Sequence, residues 1–287
     1  METTQERFCS EEYSAHKIYS TLARNPLLPR NYREIFNKTS REEYRHYLFW
    51  KQYSKNCTVK NLWLKILLYN ILTLLFGVTF VLKLLERSEN KAVSEYSSLG
   101  ESTGIPLSNL KTIIEEELVH ENTFVSSISE SRVKYLGSIA LGISDALVEL
   151  TGIYAGSLGA FANPLVSGLT GLLAGLSASI SMTIASYMQA KSSRLEKPQI
   201  AALFTGLAYI TVTLLLSLPY FILTSLLSAF TSMILIAVAI SIYMAIYTAV
   251  LGEKSFKREA AETTGLLLGV SILLYVIGRL IGSYLAL

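Results

Sequence analysis

The chain has 287 residues, of which 51% are hydrophobic and 16% charged, and its net charge is +3. Soluble domains carry roughly 25% charged residues, so this balance argues against an ordinary soluble protein and favours a membrane protein of one or two domains. Nearly all acidic residues precede residue 150, and long apolar runs fill the rest of the chain.

The N-terminal sequence "METTQERFCSEE" is polar and acidic. It lacks the basic and apolar regions of a secretory signal, so we expect the N-terminal part to stay in the cytoplasm. The two cysteines, Cys9 and Cys57, match neither a disulfide framework nor a metal knuckle. We interpret them as reduced thiols.

The first 131 residues predict four helices, at about 6–24, 31–57, 60–99 and 107–131. Glutamates occur on all four, and two of the three histidines each follow a glutamate by three residues. This spacing puts both side chains of a pair on one helix face. The candidate metal ligands are Glu12, Glu43, His46, Glu86, Glu89, Glu117 and His120.

This residue set fits a site for two metal ions. Di-iron helical bundles take one glutamate from each of two helices and Glu-x-x-His from each of the other two. Carboxylates bridge and neutralise the cations, and imidazoles complete the coordination. A single such motif on a solvated face would mean little, but two in the correct helix order favour metal. His16 is expected to lie near the site or on the surface.

The segments "SEEYSAHKIYSTLA", "REEYRHYLFW", "LLERSENKA" and "EEELVHEN" resemble rubrerythrin and related ferritin-like proteins over about residues 6–131. The resemblance implies a ferritin-like four-helix bundle with a di-iron site, in which Glu86 or Glu89 is a ligand, and the two could alternate with oxidation state. No CxxC pair is present, so we expect this protein to lack the rubredoxin-type electron-transfer domain of full rubrerythrins.

The stretch "ILLYNILTLLFGVTFVL", residues 66–82, is apolar enough to be marginal for a membrane span. If it crossed the membrane, the second and fourth helices would lie on opposite sides and the ligands could not meet. We therefore place it in the third bundle helix. Its apolar surface would face the bilayer interface, the membrane domain or a partner subunit, and a re-entrant or spanning segment is the alternative.

Five later stretches reach the roughly 20 apolar residues that a spanning helix needs: about 136–158, 165–188, 199–221, 226–251 and 264–285. Every second connection is basic and the others carry no charge. The positive-inside rule then predicts a cytoplasmic N-terminus and a C-terminus outside. The expected architecture is all-α, with a cytoplasmic bundle at 1–131 and a five-helix transmembrane domain at 132–287.

The first span contains two acidic residues, Asp145 and Glu149, on one helix face. Intramembrane carboxylates are costly and usually mark a pathway, although a structural hydrogen bond to a neighbouring helix is the alternative. The same face continues through Gly152, Gly156 and Gly159. The second span has a comparable stripe of small residues that includes Met182, so the two faces could pack around a cation path, with simple packing as the alternative for Met182.

At these residues the chain resembles the vacuolar iron transporter family, through "GISDALVELTG", "SISMTIASYMQAKSS" and "KPQIAALFTGLAYITVTLLLSLPY". The resemblance implies dimeric carriers that move Fe²⁺, and sometimes Mn²⁺, out of the cytosol in exchange for protons, with Asp145 and Met182 on the metal path and Glu149 close by. Two features depart from the family. Ala185-Ser186 replaces its usual Gly-Glu pair, and the acidic insert of eukaryotic members is absent between the second and third spans.

The sequence thus predicts an exporter of iron(II), with manganese as a possible cargo, in the cell membrane of a prokaryote or in an equivalent organelle membrane. A cytoplasmic di-iron domain would collect, sense or oxidise the metal. The expected partners are the lipid bilayer, Fe²⁺, protons and a second copy of the chain; no nucleic acid and no catalytic residue are assigned. The alternative is an enzyme, a membrane-anchored ferroxidase or peroxide-scavenging protein.

Overall fold

The computed structural model describes residues 3–87, 110–117, 119, 135–160, 163–252 and 255–285. These residues form ten helices and no strand, so the all-α prediction is confirmed. The chain divides into two compact units, Met1–Ser129 and Glu130–Leu287, where the sequence predicted a boundary at 131/132. Each unit is described by itself below.

The first unit begins with two long helices that pack along each other, α1 (Thr4–Ala23) and α2 (Arg30–Tyr53). Thr3 starts α1 with a reciprocal cap: its hydroxyl accepts from the Glu6 amide, and the Glu6 carboxylate accepts from the Thr3 amide. Three further helices follow, α3 (Leu62–Phe76), α4 (78–87) and α5 (110–117).

A glycine divides the predicted third helix. The sequence favoured one helix over 60–99, but α3 ends at Gly77, whose φ of 90° is left-handed, and α4 starts directly after it. Glycine adopts this backbone conformation without the steric cost that a side chain would bring. The break separates α3, with an exposed apolar face, from α4, whose side chains are mostly buried.

The two cysteines form a disulfide, so the prediction of reduced thiols is wrong. Cys9 of α1 is bonded to Cys57, which follows α2, and their Cα atoms lie 5.7 Å apart. The bond adjoins a cluster that contains Phe8, Trp50 and Leu110. A separation of 48 residues gives no sequence signal for pairing, because only the packing of α1 against α2 brings the two segments together.

The second unit contains five helices that are long and apolar enough to cross a membrane. They are α6 (Leu136–Ala160), α7 (Pro164–Ser192), α8 (Pro198–Ile222), α9 (Leu226–Leu251) and α10 (Phe256–Leu285). Their bounds follow the predicted spans closely, except that α10 starts eight residues early, at Phe256 rather than 264. Asn163 and Ser225 cap α7 and α9 through their side chains.

The glycine face of α6 packs against the last helix. A Cβ on Gly278 of α10 would strike the backbone of Gly156, and a Cβ on Gly282 would lie 3.0 Å from the carbonyl oxygen of Gly159. The sequence predicted this face to pack with the second span instead. The small residues of α7 pack against side chains of two other helices. Gly171 contacts Tyr154 of α6, and Gly175 contacts Thr213 of α8.

Candidate metal centre

Three helices of the first unit bring four candidate ligands together. Glu12 lies on α1, Glu43 and His46 lie on α2, and Glu117 lies on α5. One ligand atom from each residue lies within 4.8 Å of the others, and all four side chains are buried. Glu43 is completely inaccessible to solvent. Glu43 and His46 share one helix face, and both are buried in the interior of the first unit.

The two ring nitrogens of His46 face different carboxylates. Nδ1 lies 2.9 Å from Glu117 Oε1 and 3.7 Å from Glu12 Oε2. Nε2 lies on the other side of the ring and hydrogen-bonds with the carboxylate of Glu116 at 2.9 Å. Nδ1 is therefore the nitrogen that faces the cluster, and Nε2–H donates outward to Glu116.

The surroundings of His46 hold a proton on the ring when no metal is bound. Burial lowers the pKa of His46, but the carboxylates of Glu117 and Glu12 outweigh this effect and raise the pKa to about 11. A cation that binds among these groups would replace that proton and compensate the same negative charge.

Glu116 is a residue that the sequence interpretation missed. It is half-buried on α5, beside Glu117, and it also pairs with the exposed Arg45 at 3.2 Å. Metal-ligating histidines usually donate their second N–H to a carboxylate or carbonyl, which fixes the orientation of the ring. The run of three glutamates at 115–117 was the available signal, but helix periodicity alone did not show which of them faces His46.

The other predicted ligands divide into two groups. Glu86 is buried on α4 and lies 3.7 Å from Lys83 Nζ, and it is not one of the four clustered residues. Glu89 and His120 lie outside the described residues. His16 also lies outside the cluster, because its Nδ1 is 2.7 Å from the carbonyl oxygen of Ser40.

The clustered residues fit a bound cation. Three buried carboxyl groups and one imidazole come together here, and each ionised carboxylate among them needs a compensating positive charge. Buried charge of one sign is expensive unless it is compensated, and a divalent cation at this point would compensate it. Carboxylate and imidazole donors suit iron and manganese. The residues could therefore hold a metal ion, whose identity the donor set leaves open.

In the second unit, the two acidic residues of α6 have different surroundings. The phenol of Tyr209 on α8 donates a hydrogen bond to Glu149. Among the described residues, no side chain donates to Asp145, which is only partly buried one turn earlier. Thus the expected alternative of a structural hydrogen bond applies to Glu149, whereas no such bond to Asp145 occurs within the described part of the chain.

Two further positions of interest lie on α7. Met182 packs against a core cluster that includes Leu147 and Tyr209, so it borders the helix that carries Asp145 and the partner of Glu149. Ser186, which stands where the resembled family has an acidic residue, is buried and hydrogen-bonds with Thr205 of α8 at 2.8 Å. That position therefore joins two helices in this chain. Tyr209 was missed because its contact with Glu149 depends on tertiary packing.

Comparison of the chain with protein-family models, with curated proteins and with solved structures finds no match. The two family resemblances therefore stay expectations from short motifs.

Proposed function

We propose that this chain is a transporter of divalent iron, which exports the metal from the cytosol of a prokaryote in exchange for protons. The observation that carries the proposal is the pair of carboxylates on an apolar helix: Tyr209 donates to Glu149, and no described side chain donates to Asp145 one turn earlier. A carboxylate at this depth is stable when a cation neutralises it, and otherwise it tends to take up a proton.

This alternation gives each residue a role. Asp145 binds the moving cation or a proton, which makes exchange of one for the other physically natural. Glu149, fixed by Tyr209, adds negative charge near the same place and accepts the ion or the proton next. Met182 supplies a softer sulfur contact, which favours Fe²⁺ over Mg²⁺. We take the carrier to act as a homodimer, as the resembled family does.

The first unit supports the same choice of cargo. Its buried cluster of three carboxylates and one imidazole suits iron or manganese, with Glu86, Glu89 and His120 as the further ligands expected from the sequence. A ferritin-like di-iron bundle that binds the metal reversibly would collect or sense the ion that the membrane helices move. The bound iron is then held by Glu12, Glu43, His46 and Glu117.

The decisive experiment measures Fe²⁺ flux into sealed vesicles that contain the purified protein and a quenched fluorophore. Asp145→Asn keeps the shape of the side chain but removes the charge, so it should abolish flux while leaving iron in the first unit. Glu262→Gln is the matched control, because Glu262 is exposed and pairs only with Arg258 among the described residues. If Asp145→Asn transports Fe²⁺ as fast as the control variant, Asp145 does not bind the transported ion and the proposed path is wrong.

The buried cluster also favours a second candidate, a membrane-anchored ferroxidase or peroxide-scavenging enzyme. Stopped-flow absorbance after oxygen or peroxide is added to the Fe²⁺-loaded protein separates the two. Rapid multiple turnover that is unchanged in Asp145→Asn, together with no vesicle flux in the parent protein, would support the enzyme. In the same vesicles, competition between Mn²⁺ and Fe²⁺ tests the identity of the cargo.

A further inference from the structure

Helix α3 has an outer face made entirely of large apolar side chains and one lysine. The exposed residues include Trp63, Leu64, Leu67, Leu68, Ile71 and Leu74, and Trp63 and Leu74 are 65% and 72% exposed. Their spacing of three or four residues places them on one broad side of the helix. A helix on the surface of a soluble bundle would carry polar residues there, so this face is built for surroundings other than water.

The opposite face of α3 is fixed to the protein. Thr73 and Phe76 are buried, and α3 contacts α1 within the first unit. After Gly77 the chain continues into α4, where Phe80 and Leu82 are almost completely buried. Thus one face of α3 packs within the first unit, and exposed apolar side chains line the other face from Trp63 to Leu74.

The length of α3 excludes a membrane span. Its 15 residues extend about 22 Å at about 1.5 Å per residue, and the hydrocarbon core of a bilayer is about 30 Å thick. This answers the question that the apolar stretch 66–82 raised in the sequence. The break at Gly77 prevents a longer straight helix, and the residues beyond it belong to the interior of the first unit.

The charges within the segment that contains α3 indicate which surface its outer face fits. Residues 54–76 contain three lysines, Lys55, Lys60 and Lys65, and no acidic residue. Trp63 lies between two of them, at the start of the helix. Tryptophan and lysine next to an apolar surface are typical of the region where lipid headgroups meet acyl chains, and the lysines attract anionic headgroups.

A second copy of the chain fits this face less well. In a twofold contact each α3 would meet the other, and this segment has no carboxylate to offer the lysines of its partner. The same chain also carries five helices that are long and apolar enough to span a bilayer, starting at Leu136, so a lipid surface is a natural neighbour for α3. We propose that α3 lies in the membrane interface, with its outer face in anionic lipid.

Trp63 provides a direct probe of this proposal. The chain has two tryptophans, and Trp50 is completely buried. The full-length protein is reconstituted into vesicles of phosphatidylcholine and phosphatidylglycerol, and its fluorescence is compared with that of Trp63→Phe. Because Trp63 is exposed, this variant leaves the core unchanged, and the difference between the two spectra is the emission of Trp63.

The proposal predicts that lipids brominated in the upper acyl chain remove most of the Trp63 emission, whereas iodide in the water removes little. The Trp50 emission that remains in Trp63→Phe should respond to neither quencher. Quenching of Trp63 by iodide alone would place α3 in water and overturn the proposal. Insensitivity of Trp63 to both quenchers would show a protein partner, such as a second copy, and would overturn it equally.

A charge test distinguishes anionic lipid from any lipid. In Lys60→Glu/Lys65→Glu, brominated-lipid quenching of Trp63 should fall when phosphatidylglycerol is present, because the headgroups then repel the segment. A matched Lys38→Glu variant alters an exposed lysine of α2 and should keep the parent's quenching. Equal quenching in all three proteins would contradict the role of the lysines. None of these outcomes depends on metal transport.

Discussion

His46 connects the buried cluster with the edge of the bundle through its two ring nitrogens. Nδ1 faces Glu117 and Glu12, and Nε2 bonds with Glu116, which itself pairs with Arg45. The ring therefore has one orientation, and the nitrogen directed at the carboxylates is the one that a metal would use. In the metal-free protein the same carboxylates keep this nitrogen protonated.

We predict that metal binding to the first unit releases the proton of His46. The folded-state pKa of about 11 lies above the ordinary 6.5. Protonation therefore stabilises the metal-free fold fully below pH 6.5, and this contribution is lost as the pH rises through 11. Metal competes with the proton, so affinity should rise with pH by up to about tenfold per unit below that pKa.

Titration calorimetry with Mn²⁺, in buffers of different ionisation enthalpy at pH 7, counts the released protons. His16→Gln is the control, because His16 bonds with Ser40 outside the cluster and its loss should leave the count unchanged. A metal affinity that does not vary with pH would show that the metal does not displace the proton from His46.

Glu116→Gln tests the outer hydrogen bond of His46. We expect metal affinity to fall by roughly 10- to 100-fold. The Glu116 carboxylate orients the imidazole and makes it a more basic ligand, and the variant removes both effects. Glu115→Gln changes the preceding, exposed glutamate and should have little effect. Dissociation constants from metal titration of the two variants provide the comparison. Equal dissociation constants for the two variants would show that Glu116 only forms an ion pair with Arg45 and does not support metal binding.

At the scale of elements, glycines decide which helices of the second unit touch. The backbones of α6 and α10 meet at Gly156 and Gly278, whereas nothing lies within 4 Å of a Cβ built on Gly265 or Gly269 of the same α10. Small residues allow this close approach, which is a main source of helix association in membranes. The glycine face beyond Glu149 therefore serves packing against α10.

Gly278→Ala should destabilise the second unit by about 1–3 kcal/mol, because the added methyl group meets the backbone of Gly156 and cannot be accommodated by a side-chain movement. Gly265→Ala and Gly269→Ala, on the same helix, should be neutral or slightly stabilising. Thermal unfolding of the detergent-solubilised protein, followed by circular dichroism, gives the three midpoints. A Gly278→Ala midpoint as high as that of Gly269→Ala would contradict the close contact.

At the scale of the whole molecule, one chain combines a unit with a buried metal-ligand cluster and a unit of five long apolar helices. The charges of the connections predict one orientation for these helices. The basic connections, between α7 and α8 and between α9 and α10, would lie in the cytoplasm with the first unit, and the uncharged ones would lie outside.

Single cysteines test this topology in a background that lacks Cys9 and Cys57. Ser192→Cys, at the end of α7 next to one basic connection, and Ser255→Cys, in the other, should react with an impermeant maleimide only from the cytoplasmic side. Thr224→Cys, in an uncharged connection, should react only from outside. All three positions are exposed, so accessibility does not bias the comparison. Labelling of Ser192→Cys and Thr224→Cys from the same side would disprove the predicted orientation.

The sequence by itself determined the features that depend on neighbours along the chain. Runs of apolar residues gave the five long helices almost to their bounds. The i, i+3 spacing put Glu43 and His46 on one face, and the order of the glutamates pointed to Glu12 and Glu117 as their companions. These features follow from helix periodicity and from the length of helix that crosses a bilayer, both of which are local.

Only the tertiary structure decided which side chains meet across helices. It joined Cys9 with Cys57, placed Glu116 against His46 and Tyr209 against Glu149, and turned the glycines of α6 toward α10. It also broke the third predicted helix at Gly77, where apolar periodicity continues without interruption. Such contacts depend on how helices rotate and pack against one another, and residues far apart in the chain carry no local pattern that fixes this packing.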